Sequence, residues 1–124
     1  MSPPGTSDAD LVIGVDVGTS GVGVVAMDRE GRVVAAADDP VPLHTPRPGW
    51  TEQDPADWVA AVEAGLREVA AQVGADRVAG IGLSGQMHGM VATDDAGRVV
   101  RPALLWNDQR TAAEAAEIEA AVGR

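Results

Sequence analysis

Apolar and polar positions alternate along this chain in blocks that mark out its elements. Leu11–Val17 reads Leu-Val-Ile-Gly-Val-Asp-Val, an almost continuous apolar run rich in β-branched residues. Such a run predicts a strand buried on both faces. Gly18-Thr19-Ser20-Gly21 interrupts it. Residues 22–27 predict a second strand, Asp28-Arg29-Glu30-Gly31 a turn, and residues 32–37 a third strand. Three strands joined by short turns make an antiparallel meander.

Residues 38–53 hold four of the eight prolines and show no clear period. They predict an extended segment lying across the surface. Asp54-Pro55 reads as a helix start, with Asp54 as N-cap and Pro55 in the first position. Trp58, Val62, Leu66, Val69 and Val73 then recur every three or four residues, the apolar stripe of an amphipathic helix that Gly74 can stop. Residues 78–83 form another short apolar strand, which after a helix is expected to run parallel to an earlier one. A polar loop covers 84–89. A hairpin is expected from 90–93, a turn at 94–97, and 98–100. A short strand is expected at 103–106. A final helix follows to about Val122, capped by Asn107-Asp108, with Ile118 and Val122 as a thin stripe. No internal repeat is visible.

A β-β-β-α-β order predicts an α/β domain of the ribonuclease-H-like or actin-like ATPase kind. The composition agrees: of 124 residues, 45% are hydrophobic, enough for one core. Residues 1–10 are polar and proline-containing and lack the pattern of a signal peptide. They read as a short disordered leader on a cytoplasmic protein, and no apolar run is long enough to span a membrane. With no Cys, disulfides, zinc-thiolate sites and thiol catalysis are excluded. With no Lys among the nine basic residues, a Walker P-loop and a Schiff base are excluded. The net charge of -10 argues against a nucleic-acid partner.

Three segments could carry chemistry. In Asp16-Val17-Gly18-Thr19-Ser20-Gly21, a carboxylate ends a strand and a glycine turn follows. Such a turn can cradle a phosphate with its amides and hydroxyls, and Asp16 can hold a magnesium ion through water. A plain β-turn capped by Asp16 explains the same residues about as well. In Gly82-Leu83-Ser84-Gly85-Gln86-Met87-His88-Gly89, also at a strand's carboxyl end, Gln86 and His88 suit a polyol and Met87 a soft wall. Taken alone, His88 is more simply a loop histidine and Met87 a core residue. Trp106-Asn107-Asp108-Gln109-Arg110 sets an aromatic face beside an amide and a carboxylate, as sugar sites do. The simpler local reading is a core Trp and a helix cap at Asn107. Trp50 is expected to pin the long loop to the domain, and His44 to be exposed or a loop hydrogen-bonder.

Together these segments resemble the FGGY carbohydrate kinases, and within them the xylulokinase branch. The resemblance runs through Ile13-Gly14-Val15-Asp16-Val17-Gly18-Thr19-Ser20-Gly21, Trp50-Thr51-Glu52-Gln53-Asp54-Pro55, the Gly85-Gln86-Met87-His88-Gly89 string, and Arg101-Pro102-Ala103-Leu104-Leu105-Trp106-Asn107-Asp108-Gln109-Arg110. It covers nearly everything from Leu11 onward. Glycerol kinases carry Asn-Gln-Arg-Glu where this chain has Gly85 to His88, so glycerol is disfavoured.

The resemblance implies two actin-like domains closing on a cleft, with this chain the first part of the first. It implies transfer of the ATP γ-phosphoryl group to a sugar hydroxyl with Mg2+, in this branch D-xylulose to D-xylulose 5-phosphate. Asp16 would organise magnesium-ATP, with Gly18, Thr19 and Ser20 approaching the phosphates. Met87 and His88 would contact the sugar, with Trp106, Asn107 and Asp108 lining its pocket. The resemblance leaves room for a homodimer.

Two departures stand out. Gly23 occupies the place where xylulokinases usually carry a Lys, removing a cation from the phosphate side. The family's general base and adenine pocket lie in later segments, so these residues alone are expected to be a poor catalyst, a fragment or truncated product missing its C-terminal part. Another FGGY kinase, for gluconate or another pentulose, and a non-catalytic sugar-binding remnant are the alternatives. A ribonuclease-H-like nuclease is disfavoured by charge.

Overall fold

The computed structural model of the chain describes residues 9–123, so residues 1–8 of the expected leader lie outside them. Two compact units emerge, one of residues 9–42 and 56–86, the other of residues 43–55 and 87–123. Ala9 and Asp10, expected to belong to the leader, are held instead. Ala9 is buried, and the Arg77 guanidinium donates to both Asp10 oxygens at 2.9 and 2.7 Å.

The first unit is a four-stranded sheet with one long helix. Its strands are β1 (Leu11–Val17), β2 (Gly21–Met27), β3 (Val33–Pro40) and β5 (Val78–Gly85), in the order β3-β2-β1-β5. The first three form the expected antiparallel meander, and β5 joins β1 in parallel. β3 starts after Arg32 and extends through Pro40, so part of the predicted surface segment is strand. Burial corrects one expectation for β1. Leu11, Ile13 and Val15 are buried but Val12 and Asp16 are exposed, so one face is covered rather than two.

The covering element is α1 (Pro55–Val73). Its Ala61 and Val69 are buried against Ile13, Val15, Val22 and Val24, with Trp58, Val62, Leu66 and Val73 packed around them. The predicted stripe is therefore the face that builds the core. Gly65 interrupts it for a steric reason: a Cβ there would lie 2.6 Å from Val24 Cγ2. Only a bare backbone lets the helix approach β2 so closely. Gly74, at φ +87°, ends the helix, and a single 3-10 turn (Ala75–Arg77) leads into β5.

The second unit has little regular structure. β4 (Glu52–Gln53) pairs antiparallel with β6 (Ala103–Leu104), and single bridges join His44 to Glu52 and Met90 to Leu104. The expected hairpin is reduced to its turn. Asp94 N–H donates to Arg98 O and Val100 N–H to Ala92 O, but only Thr93 and Val99 bridge, and no strands flank them. Val91, Val99 and Val100 are all exposed, so no buried face stabilises a ladder. The last helix, α2, is Ala112–Val122 and begins after Thr111, with no side-chain cap. Asn107-Asp108 does not cap it, because Asp108 is engaged elsewhere. Ile118 and Val122 are exposed, and no residue of α2 is buried. Among the described residues no helix is long and apolar enough to cross a membrane.

Candidate functional site

In the first unit, chemistry collects where β1 and β5 end side by side. Parallel pairing sets Asp16 opposite Ser84 and Val17 opposite Gly85. The Ser84 hydroxyl donates to Asp16 Oδ1 at 2.8 Å, and the Thr19 hydroxyl donates to Gln86 Oε1 at 3.0 Å. Gln86 N–H donates to Val17 O at 2.9 Å. The two strand ends and the loops that leave them are thus laced together at the carboxyl end of the parallel pair, where ligands of open α/β sheets bind.

The Gly18–Gly21 turn is closed by Gly18 N–H donating to Gly21 O at 2.9 Å. Gly21 is required by β3, since a Cβ would sit 2.5 Å from the Asp39 carbonyl oxygen. A cleft of about 400 Å³ opens beside the turn, lined by Asp16, Gly18, Ser20, Gly23, Asp38 and Asp39 among others. A Cβ at Gly23 would meet Asp38 Oδ1 at 3.5 Å, an ordinary contact, so position 23 has room for a side chain on this cleft. The cleft is acidic, and among the described residues that line it none is basic. Polyphosphate would be repelled there unless a cation came with it. Among the described residues no three acidic or imidazole groups form a ready-made metal cage. Mg2+ commonly binds through one or two carboxylates, water and substrate phosphates, and exposed Asp16 fits that mode.

The second unit carries the remaining candidates. Met87 and Trp106 are large and mostly exposed, contrary to the simpler reading of both as core. His88 has φ +59°, the only positive value at a non-glycine residue among those described. Side chains rarely accept that conformation except where the surroundings impose it, often at binding sites. Asn107 is exposed.

Asp108 differs. Its Oδ1 accepts from Arg110 N–H at 3.0 Å and Arg110 Nε at 2.9 Å. Its Oδ2 accepts from Thr51 N–H at 2.7 Å and Arg110 Nη2 at 2.7 Å. A carboxylate offers about four lone-pair sites, and these four bonds fill them. Arg110 Nη2 also donates to Glu52 Oε1 at 2.8 Å, Arg101 Nη2 adds a bond to the same oxygen, and the Arg110 guanidinium lies 3.9 Å from the Trp50 ring centre. The hydrogen bonds from Arg110, aided by the Thr51 and Arg110 amides, hold the Asp108 carboxyl far below the usual carboxylate range despite its burial. Trp50 does pin its loop, through the Arg110 guanidinium; Arg47 of the same loop also lies over the ring, at 4.9 Å.

Comparison with known proteins places this architecture. The profile of the FGGY family of carbohydrate kinases, N-terminal domain, matches residues 11–124. The chain belongs to the FGGY family of carbohydrate kinases. This FGGY domain is 42% identical over 112 residues to the xylulose kinase of Escherichia coli (strain K12), a match covering 90% of the chain and 23% of that relative. A solved xylulose kinase from Rhodospirillum rubrum superposes with a TM-score of 0.87 at 37% identity, over 91% of this chain and 24% of that one. The glycerol kinase of Aquifex aeolicus is also 42% identical, over 102 residues covering 82% of the chain and 21% of that relative. The FGGY domain thus spans about a quarter of the length of such relatives. Its mixed sheet and helix match the N-terminal domain of xylulose kinases, in the actin-like ATPase fold family.

Sequence reasoning singled out Gln86 for its polarity but not for its bond to Thr19. Ser84 was missed as a partner of Asp16, although the expectation of a parallel β1–β5 pair was enough to set them near each other. The Glu52–Asp108–Arg110 cluster was missed because its first two members are 56 positions apart, and no local period links them.

Proposed function

We propose that this chain forms the phosphate- and sugar-facing N-terminal part of an ATP-dependent sugar kinase acting on D-xylulose, giving D-xylulose 5-phosphate in xylose breakdown. The observation that supports it most is the bonding across the β1–β5 strand ends: Asp16 to Ser84 within the strands, and Thr19 of the glycine turn to Gln86 of the loop after β5. Phosphoryl transfer rests on positioning and charge neutralisation, and this lacing holds a phosphate-type turn at the carboxyl end of the parallel β1–β5 pair. Asp16 would bear on Mg2+ through water, while Gly18, Thr19 and Ser20 face the phosphates. Mg2+ would supply the charge neutralisation that the acidic cleft lacks. Met87, His88, Trp106 and Asn107 would meet the sugar.

In this reading the general base and the adenine pocket come from sequence outside these residues, supplied by a C-terminal part of a cytoplasmic kinase. The kinase domain fills 11–124, with Ala9 and Asp10 held against it. The 42% identity to a glycerol kinase keeps a second FGGY substrate in play. The Gly85–His88 string, lacking the charged pair that resemblance assigns to glycerol binding, favours a pentulose.

The test expresses the complete open reading frame encoding this chain and measures sugar-dependent ATP consumption with D-xylulose, gluconate and glycerol. D-xylulose as the best substrate supports the assignment. Preference for gluconate or glycerol keeps the family and removes the named sugar. Sugar binding without ATP turnover points to a non-catalytic remnant. Gly23→Lys is expected to tighten nucleotide binding about tenfold, the order of one charged hydrogen bond.

A further inference from the structure

Asp108 stands in the Trp106-Asn107-Asp108 string that resemblance assigns to the sugar pocket, yet its surroundings are those of a structural clasp. All four of its acceptor sites are filled by Arg110 and Thr51. Its side chain is 3% exposed, Arg110's 11% and Glu52's 13%, whereas neighbouring Trp106 is 58% exposed. A sugar hydroxyl could reach the Asp108 carboxylate only by displacing a charge-assisted bond from a buried guanidinium, an exchange of a stronger bond for a weaker one.

The cluster also sits where it controls backbone. Thr51 N–H donates to Asp108 Oδ2, Leu105 N–H to Thr51 O, and Gln109 N–H to Gly49 O. Trp50, between the two acceptor residues, is covered by Arg110. The segment carrying Trp106 and Asn107 is therefore fastened on both sides, at 105 and at 108–110, to the loop around Trp50.

We propose that Asp108 is a positioning residue and not a sugar ligand. Together with Arg110 and Glu52 it clasps the Trp50 loop to the strand end that presents Trp106 and Asn107. This deepens the kinase reading and rests on it for the identity of the ligand, but not for the clasp itself.

Two experiments decide it. In the protein from the complete reading frame, amide hydrogen exchange is followed at Thr51, Leu105 and Gln109 for Asp108→Asn, Arg110→Gln and the double variant. Each single change is expected to speed exchange at all three amides by about tenfold or more, with the double variant little worse than either, because one network is being broken. Unchanged exchange in Asp108→Asn overturns the clasp. If Asp108→Asn does not fold, Arg110→Lys replaces it. Arg110→Lys keeps the charge but loses the fork and the stacking on Trp50, so wild-type exchange in that variant also overturns the clasp.

In the protein from the complete reading frame, KM for D-xylulose and KM for ATP are measured separately. The clasp predicts that Asp108→Asn and Arg110→Gln raise the sugar KM alike and leave the ATP KM in place. A rise with Asp108→Asn but none with Arg110→Gln shows that Asp108 touches sugar, and overturns the proposal. Faster exchange with no change in sugar KM leaves a purely structural bond, and overturns the positioning role. If the wild-type protein acts on no sugar, the kinase reading falls, and the exchange experiment alone judges the clasp.

Discussion

The turns at residues 28–32 and 94–98 share one framework of hydrogen bonds, to which the first adds an Arg32–Glu30 pair. Each reads Asp-x-x-Gly-Arg. In each, the Asp carboxylate accepts from the amides two and four residues on and from the Arg Nε, and the Asp amide donates to the Arg carbonyl. Gly31 and Gly97 have φ of +81° and +77°. Yet the first turn joins strands of seven and eight residues, and the second joins no strand at all. The difference lies in what flanks them. Val24, Ala26, Ala35 and Ala37 bury one face of β2 and β3 against α1, while Val91, Val99 and Val100 stay exposed. Turn chemistry can reverse a chain, but a buried face is what makes the reversal a hairpin. The two units repeat the contrast on a larger scale: the first is held by apolar packing, while the second buries few apolar residues, Ala103 and Leu105 among them, and adds the charges around Arg110.

The sharpest way to break that contrast is to hollow out the apolar side. Leu11 is fully buried in β1. Leu11→Ala is expected to remove about 3 kcal/mol of the first unit's stability, the usual cost of a core cavity. Urea unfolding followed through Trp58 in α1 measures it. A loss below 1 kcal/mol would place the first unit's stability outside its core.

A smaller effect tests how closely helix and sheet fit. In an exposed helix, Gly→Ala stabilises by about 1 kcal/mol. At Gly65 the new Cβ would press on Val24, so Gly65→Ala is expected to destabilise by about 1–2 kcal/mol instead. Thermal denaturation gives the sign, which is the informative part.

The charged side is tested with acid. The Asp108 carboxyl titrates lower in the folded chain than in the unfolded one, because Arg110 and two amides hold its anion. Its stabilising contribution is therefore complete above the unfolded value of about 3.9 and fades as pH falls below it. Amide protection at Thr51 and Leu105 is expected to hold down to pH 4 and decline beneath it. Asp108→Asn should abolish the part of that decline owed to this carboxyl. A decline already under way at pH 6 would contradict the assignment.

The same contrast explains what was legible in the sequence. The meander, α1 and the parallel β5 were readable because local periods report a buried face: Val22, Val24 and Ala26 alternate, and Trp58, Val62, Leu66, Val69 and Val73 follow helical spacing. The strand-end positions of Asp16 and Gln86 followed from those elements. The second unit was not readable in this way. Its order comes from Glu52, Asp108 and Arg110, polar residues far apart in the chain, whose types are as common on exposed surfaces. Asp108 in particular has the composition of a ligand or a cap, and only its four bonds show otherwise.

The smallest effect returns to the paired turns and separates local from cooperative structure. No heavy atom lies within 4 Å of a Cβ at Gly31 or Gly97, so Ala at either site meets no clash. The cost is conformational alone, about 1 kcal/mol for an L side chain at positive φ, and the same in both places. The consequences should differ. Residue 31 sits between two strands of the cooperative sheet, so Gly31→Ala is expected to lower the unfolding midpoint of the first unit by the full amount. Residue 97 sits between segments with no ladder to transmit the strain, so Gly97→Ala should loosen its own turn and leave the main transition in place. Amide exchange at Arg32 and Arg98, whose N–H groups donate to the two Asp carboxylates, reads the local cost in each variant, and the denaturation midpoint reads the transmitted one. Equal midpoint shifts for the two variants would mean that the second turn is coupled to the core as tightly as the first.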